Sequence, residues 1–409
     1  MSSTIRAAHA DRIPAPIYLL AVGAFAIGTE GFMISPLLPR LAQDLSVTIE
    51  QAGQLVTAFA LAYGISSPIL TAATGGLNRR TLLVASMVVF ALSNVLAFLA
   101  PGYWWLMAAR VLLALSAGLF VPGANALAGA IVAPERRGRA IAVVNAGITV
   151  ALALGVPLGA EIGHGLGWRM TFAAVAALSA IAAVGVYVGV PREIGQGIPT
   201  ATLRERLSVA ARPAVLVTLL STTLWATGAY TVYTYLSPLV TALTPLRENQ
   251  IGIVMFAWGI AAAVGVFSGG GLSDRLGPPR VIVPAVTLMG LAFFSLALDA
   301  QWLSPAHALW PVMGALMVWA VSHWAFYPAQ QARLIQLAGV SVASIVLSLN
   351  ASFMYIGFSI GAGVGAIALR HGPVGHLGIV AGLLELASVA ATLALLVRRR
   401  PSARAASAC

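Results

Sequence analysis

The sequence predicts an all-α membrane protein of twelve transmembrane helices in two pseudosymmetric six-helix bundles, and three observations predict it. The 409-residue chain is 59% hydrophobic and 9% charged, against about 25% charged residues in an ordinary soluble domain. Its apolar residues gather into twelve runs, each close to the roughly 20 residues that cross a bilayer as a helix. Its 23 basic residues are all arginine, and all but one lie in the gaps with a strong sidedness. With the N-terminus placed in the cytoplasm, 18 arginines fall on that side, 4 (Arg40, Arg169, Arg247, Arg370) on the other, and Arg110 inside the fourth run. Cytoplasmic loops carry the excess of basic residues. Both termini are therefore expected in the cytoplasm, with the chain crossing the bacterial inner membrane many times. The same sidedness explains the net charge of +11 as a topology signal, so a nucleic-acid partner is not expected and the lipid bilayer is.

Taken in order, a polar N-terminus covers 1–14. The first six runs fall near 15–37, 51–74, 81–100, 104–130, 140–163 and 169–190, making an N-terminal half of 15–190. A polar stretch, 191–213, carries Arg192, Glu193, Arg204, Glu205, Arg206 and Arg212 and reads as a cytoplasmic linker, with a short surface helix over 202–211. The second six runs fall near 214–238, 250–269, 281–299, 307–328, 341–367 and 375–397, making a C-terminal half of 214–397 before a cytoplasmic tail, 398–409. A repeat supports two halves. The gap after the second run reads GGLNRR (75–80) and the gap after the eighth reads GGLSDRLGPPR (270–280), both expected as tight glycine-led turns. Paired six-helix halves are an arrangement of secondary transporters, which handle substrate at mid-membrane between the repeats.

Enzyme chemistry finds no support. The one cysteine, Cys409, allows neither an internal disulfide nor a CxxC site. The phosphate-cradling GxxxxGK[ST] pattern needs a lysine the chain lacks. No metal and no cofactor are expected, and the first run is too long to be a signal-peptide core.

Polar residues inside the runs are the candidate functional residues. Glu30 stands in the first run, and a charge at that depth costs a few kcal/mol. Gly23 and Ala26 share its helical face, so the acid points at a cavity or a neighbouring helix, either as a proton site or as a structural acid. Arg110 in the fourth run either snorkels outward or pairs internally. Glu161 reads as an interfacial acid, and Glu385 lies near the middle of the twelfth run. Trp319, His323 and Tyr327 recur at four-residue spacing in the tenth run beside Phe326. Tyr230 and Thr234 share a face of the seventh run with Thr227, while Asn350 lies in the eleventh with Tyr355 and Asn125 in the fourth. Aromatic walls with few polar groups suit a moderately apolar small molecule, although such a stripe also serves plain packing.

Three stretches together resemble the major facilitator superfamily, specifically its twelve-helix drug:proton antiporter branch, with arabinose-efflux and chloramphenicol-resistance permeases as look-alikes. They are Gly28–Phe32 with Pro36 and Pro39 closing the helix; GVPLG (155–159) followed by GWRMTF (167–172); and GLSDRLG (271–277). The resemblance spans about Ile17 to Val397. Pro157 removes a backbone donor and kinks its helix. Gly147, Gly155, Gly159 and Gly163 form a small-residue ridge that admits a close neighbour, which the resemblance places across the interface of the halves as seal and pivot. Asp274 and Arg275 are implied to hydrogen-bond helix ends and clamp neighbouring helices. Four positions depart from the pattern: Asn78 stands for the usual Asp, Leu113 and Ala114 follow Arg110 in place of Gln and Gly, and Glu161 replaces an apolar residue.

What the resemblance implies is a monomeric secondary transporter working by alternating access. It would export a small organic molecule, drug-like first and sugar or nucleoside second, by proton antiport through Glu30 and Arg110. An uptake symporter, an uncoupled facilitator and a non-transporting membrane sensor or scaffold stay open as alternatives.

Overall fold

The computed structural model describes residues 13–193 and 200–398. The expected N-terminal segment up to residue 12, the linker stretch 194–199 and the tail from 399 with Cys409 lie outside the described residues. Twelve helices are long and apolar enough to cross a membrane, and no strand occurs among the described residues. They are α1 (Ala15–Phe32, resuming as Ile34–Asp44), α2 (Ile49–Ala73), α3 (Arg79–Phe98), α4 (Tyr103–Ile131), α5 (Arg137–Val150, continuing through Ala151–Gly155 into Val156–Gly165) and α6 (Trp168–Gly189). After a linker helix, Leu203–Ala210, come α7 (Pro213–Tyr233, resuming as Leu236–Leu243), α8 (Ile251–Leu276), α9 (Pro279–Trp302), α10 (Pro305–Ala338), α11 (Ala343–His371) and α12 (His376–Arg398). An even number of crossings puts the start of α1, the linker and the end of α12 on one face, here the linker face. The opposite, distal face carries exposed Trp104, Trp105, Trp302 and Trp310 at helix ends, the amphipathic belt found at membrane surfaces.

Prolines shape the helices that matter most. Pro36 and Pro39 were expected to close the first helix. Instead, α1 breaks at Met33 and resumes to Asp44 with Pro39 inside it. Pro36 lacks the N–H that would bond the carbonyl of Phe32 and crowds it, so the ladder fails one turn earlier and then recovers. Pro238 does the same in α7, which breaks at Thr234 and Tyr235 before Leu236–Leu243. The two breaks occupy equivalent places in the halves. In α5, Pro157 cannot bond the carbonyl of Ala153, and the chain passes through a π turn, Ala151–Gly155, in which the Val156 N–H reaches Ala151.

The glycine ridge of α5 lies elsewhere than the resemblance implied. Gly147 backs onto the Ala21 carbonyl, Gly155 onto Thr29, Gly159 onto Met33 and Gly163 onto Leu37, all in α1. The ridge therefore binds α5 to its own half. Its spacing of four residues drifts only slowly around the helix and keeps one face, which is turned to α1. Across the halves the close approach is made by glycines of α8: Gly259 lies against the backbone of Leu152 and Ala153, and Gly252 against Glu161. On the other side, Gly64 of α2 meets Ser352 and Ile356 of α11.

The turn expected over 270–280 is much shorter than its sequence suggests. Helix α8 runs unbroken to Leu276, and the turn is confined to Gly277 with φ 84° and Pro278. Asp274 and Arg275 sit exposed on the last helical turn and hold no hydrogen bond or ion pair among the described residues. The first-half turn is bound more firmly. Asn78 caps α3 by accepting from the N–H groups of Arg80 and Thr81 and donates to the Arg192 carbonyl. Arg79 donates to Thr200. In the linker helix, Thr202 and Glu205 form a capping box, Arg206 donates to Ser348 of α11 at 2.8 Å, and Arg212 to the Ala338 carbonyl of α10 at 2.9 Å. The linker thus ties α3, α10 and α11 together on its face.

If the α5–α8 seam depends on backbone-to-backbone approach, Gly259→Leu should cost about 1–3 kcal/mol by overpacking and lower the thermal unfolding midpoint in detergent. Gly314→Ala, where added atoms meet open space, should leave it unchanged.

Candidate functional site

A charged residue inside an apolar bundle needs its countercharge and its remaining hydrogen bonds nearby, because desolvation there costs several kcal/mol per ion. Glu30 of α1 and Arg110 of α4 meet this need together. They form an ion pair in which Arg110 Nη1 donates to Glu30 Oε1, and both side chains are wholly buried. Arg110 therefore pairs internally and does not snorkel. Its Nε donates to the Leu55 carbonyl of α2 at 3.3 Å, and its guanidinium lies 4.2 Å over the Phe59 ring, a favourable cation–π contact. The pair is only half satisfied: Glu30 Oε2 and Arg110 Nη2 have no protein partner.

Aromatic rings from the C-terminal half cover the pair. Phe59 is followed by Tyr355 of α11 at 6.4 Å, itself stacked on Tyr63 at 3.8 Å and set edge-on to Phe358 at 5.3 Å. Phe358 stacks on Tyr230 at 3.6 Å, Tyr230 neighbours Phe32 at 6.5 Å, and Phe32 meets Trp324 at 6.3 Å. Trp324 stands edge-on to His323 at 5.3 Å. A continuous path of rings thus leads from Arg110 in one half to His323 in the other.

The distal side of this cluster is shut. Ser35 donates to the Tyr233 carbonyl, Tyr233 donates its hydroxyl to the Phe32 carbonyl at 3.2 Å, and Tyr235 donates to the Ala362 carbonyl at 2.9 Å. The first two bonds join the breaks in α1 and α7, where freed carbonyls are available, and the third ties the α7 break to α11 of its own half. Ser359 of α11 adds a bond to the Thr57 carbonyl of α2 at 3.0 Å.

The remaining residues singled out in the sequence divide. His323 and Tyr327 share one partner, Trp225 of α7, whose ring lies 4.1 Å from the imidazole and 6.3 Å from Tyr327, with Phe326 at 4.4 Å. Trp319 leaves this group and packs with Trp258 at 5.5 Å and Phe293 at 5.2 Å. Asn350 is fully buried and accepts from Thr222, which also receives Gln330, so it braces α7, α10 and α11 and does not face the pair. Thr234 is buried at the α7 break with its hydroxyl unpartnered. Asn125 faces Asn145 of α5 at 3.4 Å, away from the ring path. Gly155 and Gly159 lie in the α5 seam with α1, Pro157 sits between them just after the π turn, and Asp274 and Arg275 lie at the linker face. Among the described residues, no group of three or more His, Cys, Asp or Glu could hold a metal ion.

Sequence reasoning missed Trp225, Phe59, Tyr63 and Phe358. Phe59 and Tyr63 sit at i, i+4 and Tyr355 and Phe358 at i, i+3, the same spacing that drew attention to α10, so the signal was present in α2 and α11 as well.

Comparison with known proteins agrees with this architecture. The Major Facilitator Superfamily model matches residues 20–362. The MFS-type transporter YbcL of Bacillus subtilis is 33% identical over 377 residues, covering 92% of this chain and 94% of its own. A chloramphenicol resistance protein of Streptomyces lividans is 35% identical over 293 residues, covering 71% of this chain and 74% of its own. Among solved structures, a bacterial homolog of the human lysosomal transporter Spinster, in an inward-facing and occupied conformation, superposes with a TM-score of 0.69 at 18% identity, covering 93% of this chain and 94% of that one. At that identity the likeness speaks for the fold alone. With twelve spanning helices, a matching family model over most of its length and relatives of this kind, the chain is a multi-pass membrane transporter that belongs to the Major Facilitator Superfamily.

Proposed function

We propose that this protein exports a small organic molecule in exchange for protons, with Glu30 as the proton carrier and Arg110 as its counter-charge. The observation that carries the reading is the dry, half-satisfied Glu30–Arg110 pair at the seam of the halves, roofed by rings of the opposite half. Protonating Glu30 there strands a buried guanidinium, at a cost of about 3–5 kcal/mol. Such a cost cannot be borne in this arrangement and drives the protein toward one in which Arg110 regains water or another partner. A proton and a substrate need only bias one two-state equilibrium in opposite directions.

In this reading the linker face is cytoplasmic and the chain sits in the bacterial inner membrane as a monomer. The distally closed arrangement, with Glu30 ionised, is the state that has released its proton inward and awaits substrate from the cytoplasm. Outward reopening breaks the Ser35–Tyr233 and Tyr233–Phe32 contacts and uses the π turn and Pro157 beside Gly155 and Gly159 as a pivot. Asp274 and Arg275, free here, form their clamp in that other state. The substrate surface is the ring path with Tyr230, His323 and Tyr327, which suits drug-like molecules carrying rings and a few hydroxyl or amide groups, and sugars or nucleosides less well. The name of the Streptomyces relative supports the drug-like class.

Proteoliposomes with chloramphenicol as first probe and a monosaccharide as second test the coupling. Glu30→Gln should abolish transport driven by a pH gradient while keeping substrate counterflow; gradient-driven transport that survives the substitution removes Glu30 from the mechanism. The pair itself is open to a double-mutant cycle by thermal unfolding. Glu30→Gln and Arg110→Met should each cost about 3–5 kcal/mol, and the double variant less than their sum, because it leaves no unpaired charge.

A further inference from the structure

The ion pair accounts for one buried acid, and a second remains. Glu385, near the middle of α12, is wholly buried, yet neither carboxyl oxygen has a hydrogen-bond partner. Two neighbouring helices are shaped around it. A Cβ at Gly228 of α7 would collide with Glu385 Oε1, and a Cβ at Gly290 of α9 would press on Glu385 Cβ. The Glu385 side chain therefore lies in a cradle left open by glycine backbone, Gly228 against its carboxyl and Gly290 against its Cβ. Among the described residues, no countercharge shares this cradle. The one acid of α9, Asp299, lies nine residues beyond Gly290, about 13 Å along the helix. Arg280 begins α9 at the linker face, and Arg370 and His371 end α11 at the distal face. On α7, Tyr230 is stacked on Phe358 and turned away. His376 opens α12 nine residues before Glu385.

An ionised carboxylate without a partner is the most costly state for such a place, and the group neutralises instead. A bare metal cation in its stead would need several oxygen ligands, whereas the neighbouring backbone carbonyls belong to continuous helices. We infer that Glu385 is a second proton-binding site, a neutral carboxylic acid held between α7, α9 and α12 in this arrangement. A way in and out is visible on the side of the linker face. Ser388, one turn on from Glu385, lies 3.1 Å from Ser221 of α7, and Ser221 lies 3.0 Å from Thr392, a further turn toward that face. These hydroxyls both donate and accept, so they form a ladder along which a proton can pass when α7 and α12 loosen. The inference concerns protonation alone and stands whether or not Glu30 couples transport.

Infrared spectroscopy of the purified, unaltered protein tests it. At about pH 8, where exposed carboxyls are ionised, the spectrum should keep a protonated carboxylic acid carbonyl band that shifts in heavy water. Glu385→Gln should remove the band, Glu385→Asp should move it, and Glu30→Gln should leave it in place, since Glu30 is ionised against Arg110. Absence of such a band from the unaltered protein overturns the proposal without reliance on any variant. So does a band that survives Glu385→Gln, and a band lost only in Glu30→Gln would assign the neutral acid to the ion-pair site instead.

Discussion

Keeping one ion pair dry is the constraint on which the centre of this protein depends. Glu30 and Arg110 are brought together from two helices of the same half, and their wholly buried contact persists only while water is excluded. A pair in low dielectric is strongly attracted, but each partner has surrendered its hydration to be there. The Leu55 carbonyl and the Phe59 face return part of that loss to Arg110. The rest depends on the opposite half, because Tyr230, Tyr355 and Phe358 complete the roof. The electrostatics of the first half are in this way tied to the position of the second.

Prolines make that dependence mechanical. A straight α1 and α7 would satisfy their own carbonyls and present no acceptors at the distal seam. Pro36 and Pro238 break each helix at an equivalent level, and the carbonyls of Phe32 and Tyr233 are then taken by Tyr233 and Ser35 of the opposite half. The closure is therefore built from few, exchangeable hydrogen bonds at two broken helices. Elsewhere the seam is backbone against backbone at Gly259 and Gly64, which permits sliding or rocking but resists insertion of any side chain. A stable outer framework with a lightly held distal closure is what a two-state machine requires.

Much of this was legible in the residues, and the part that was not has a common cause. Helix number and most boundaries followed from hydropathy, since a run of about 20 apolar residues has few other uses. Hydropathy fell short at the ends of α1, α8 and α10; in the extension of α10 to Ala338 beyond its expected end near 328, the added turns carry Gln330, Gln331 and Arg333, which hydropathy reads as loop. Glu30 and Arg110 stood out because a charge among apolar residues is costly wherever it faces. Trp225 did not, because an indole in an apolar run violates nothing. Its importance comes from the rotation of α7 against α10, and rotation is set by packing partners that a single sequence does not name. The stripe of Trp319, His323 and Tyr327 shows the same limit. Four-residue spacing placed them on one face, yet that face is wide enough for Trp319 to join Trp258 while the other two stack on Trp225.

The two buried acids show how the same cost is met in two ways. In the N-terminal half an arginine supplies the countercharge. In the C-terminal half no cation among the described residues is near Glu385, and glycines on two helices supply only room. Helix α7 touches both. Tyr230 lies in the ring path over Arg110, and Gly228, two residues before it, lies against the Glu385 carboxyl. Successive residues on a helix are turned by about 100°, so positions two apart face nearly opposite ways. A movement of α7 that uncovers the ion pair on one side therefore displaces the wall of the neutral acid on the other. The two sites need no wire between them, because one rigid element with two packed faces is enough to make each sensitive to the other.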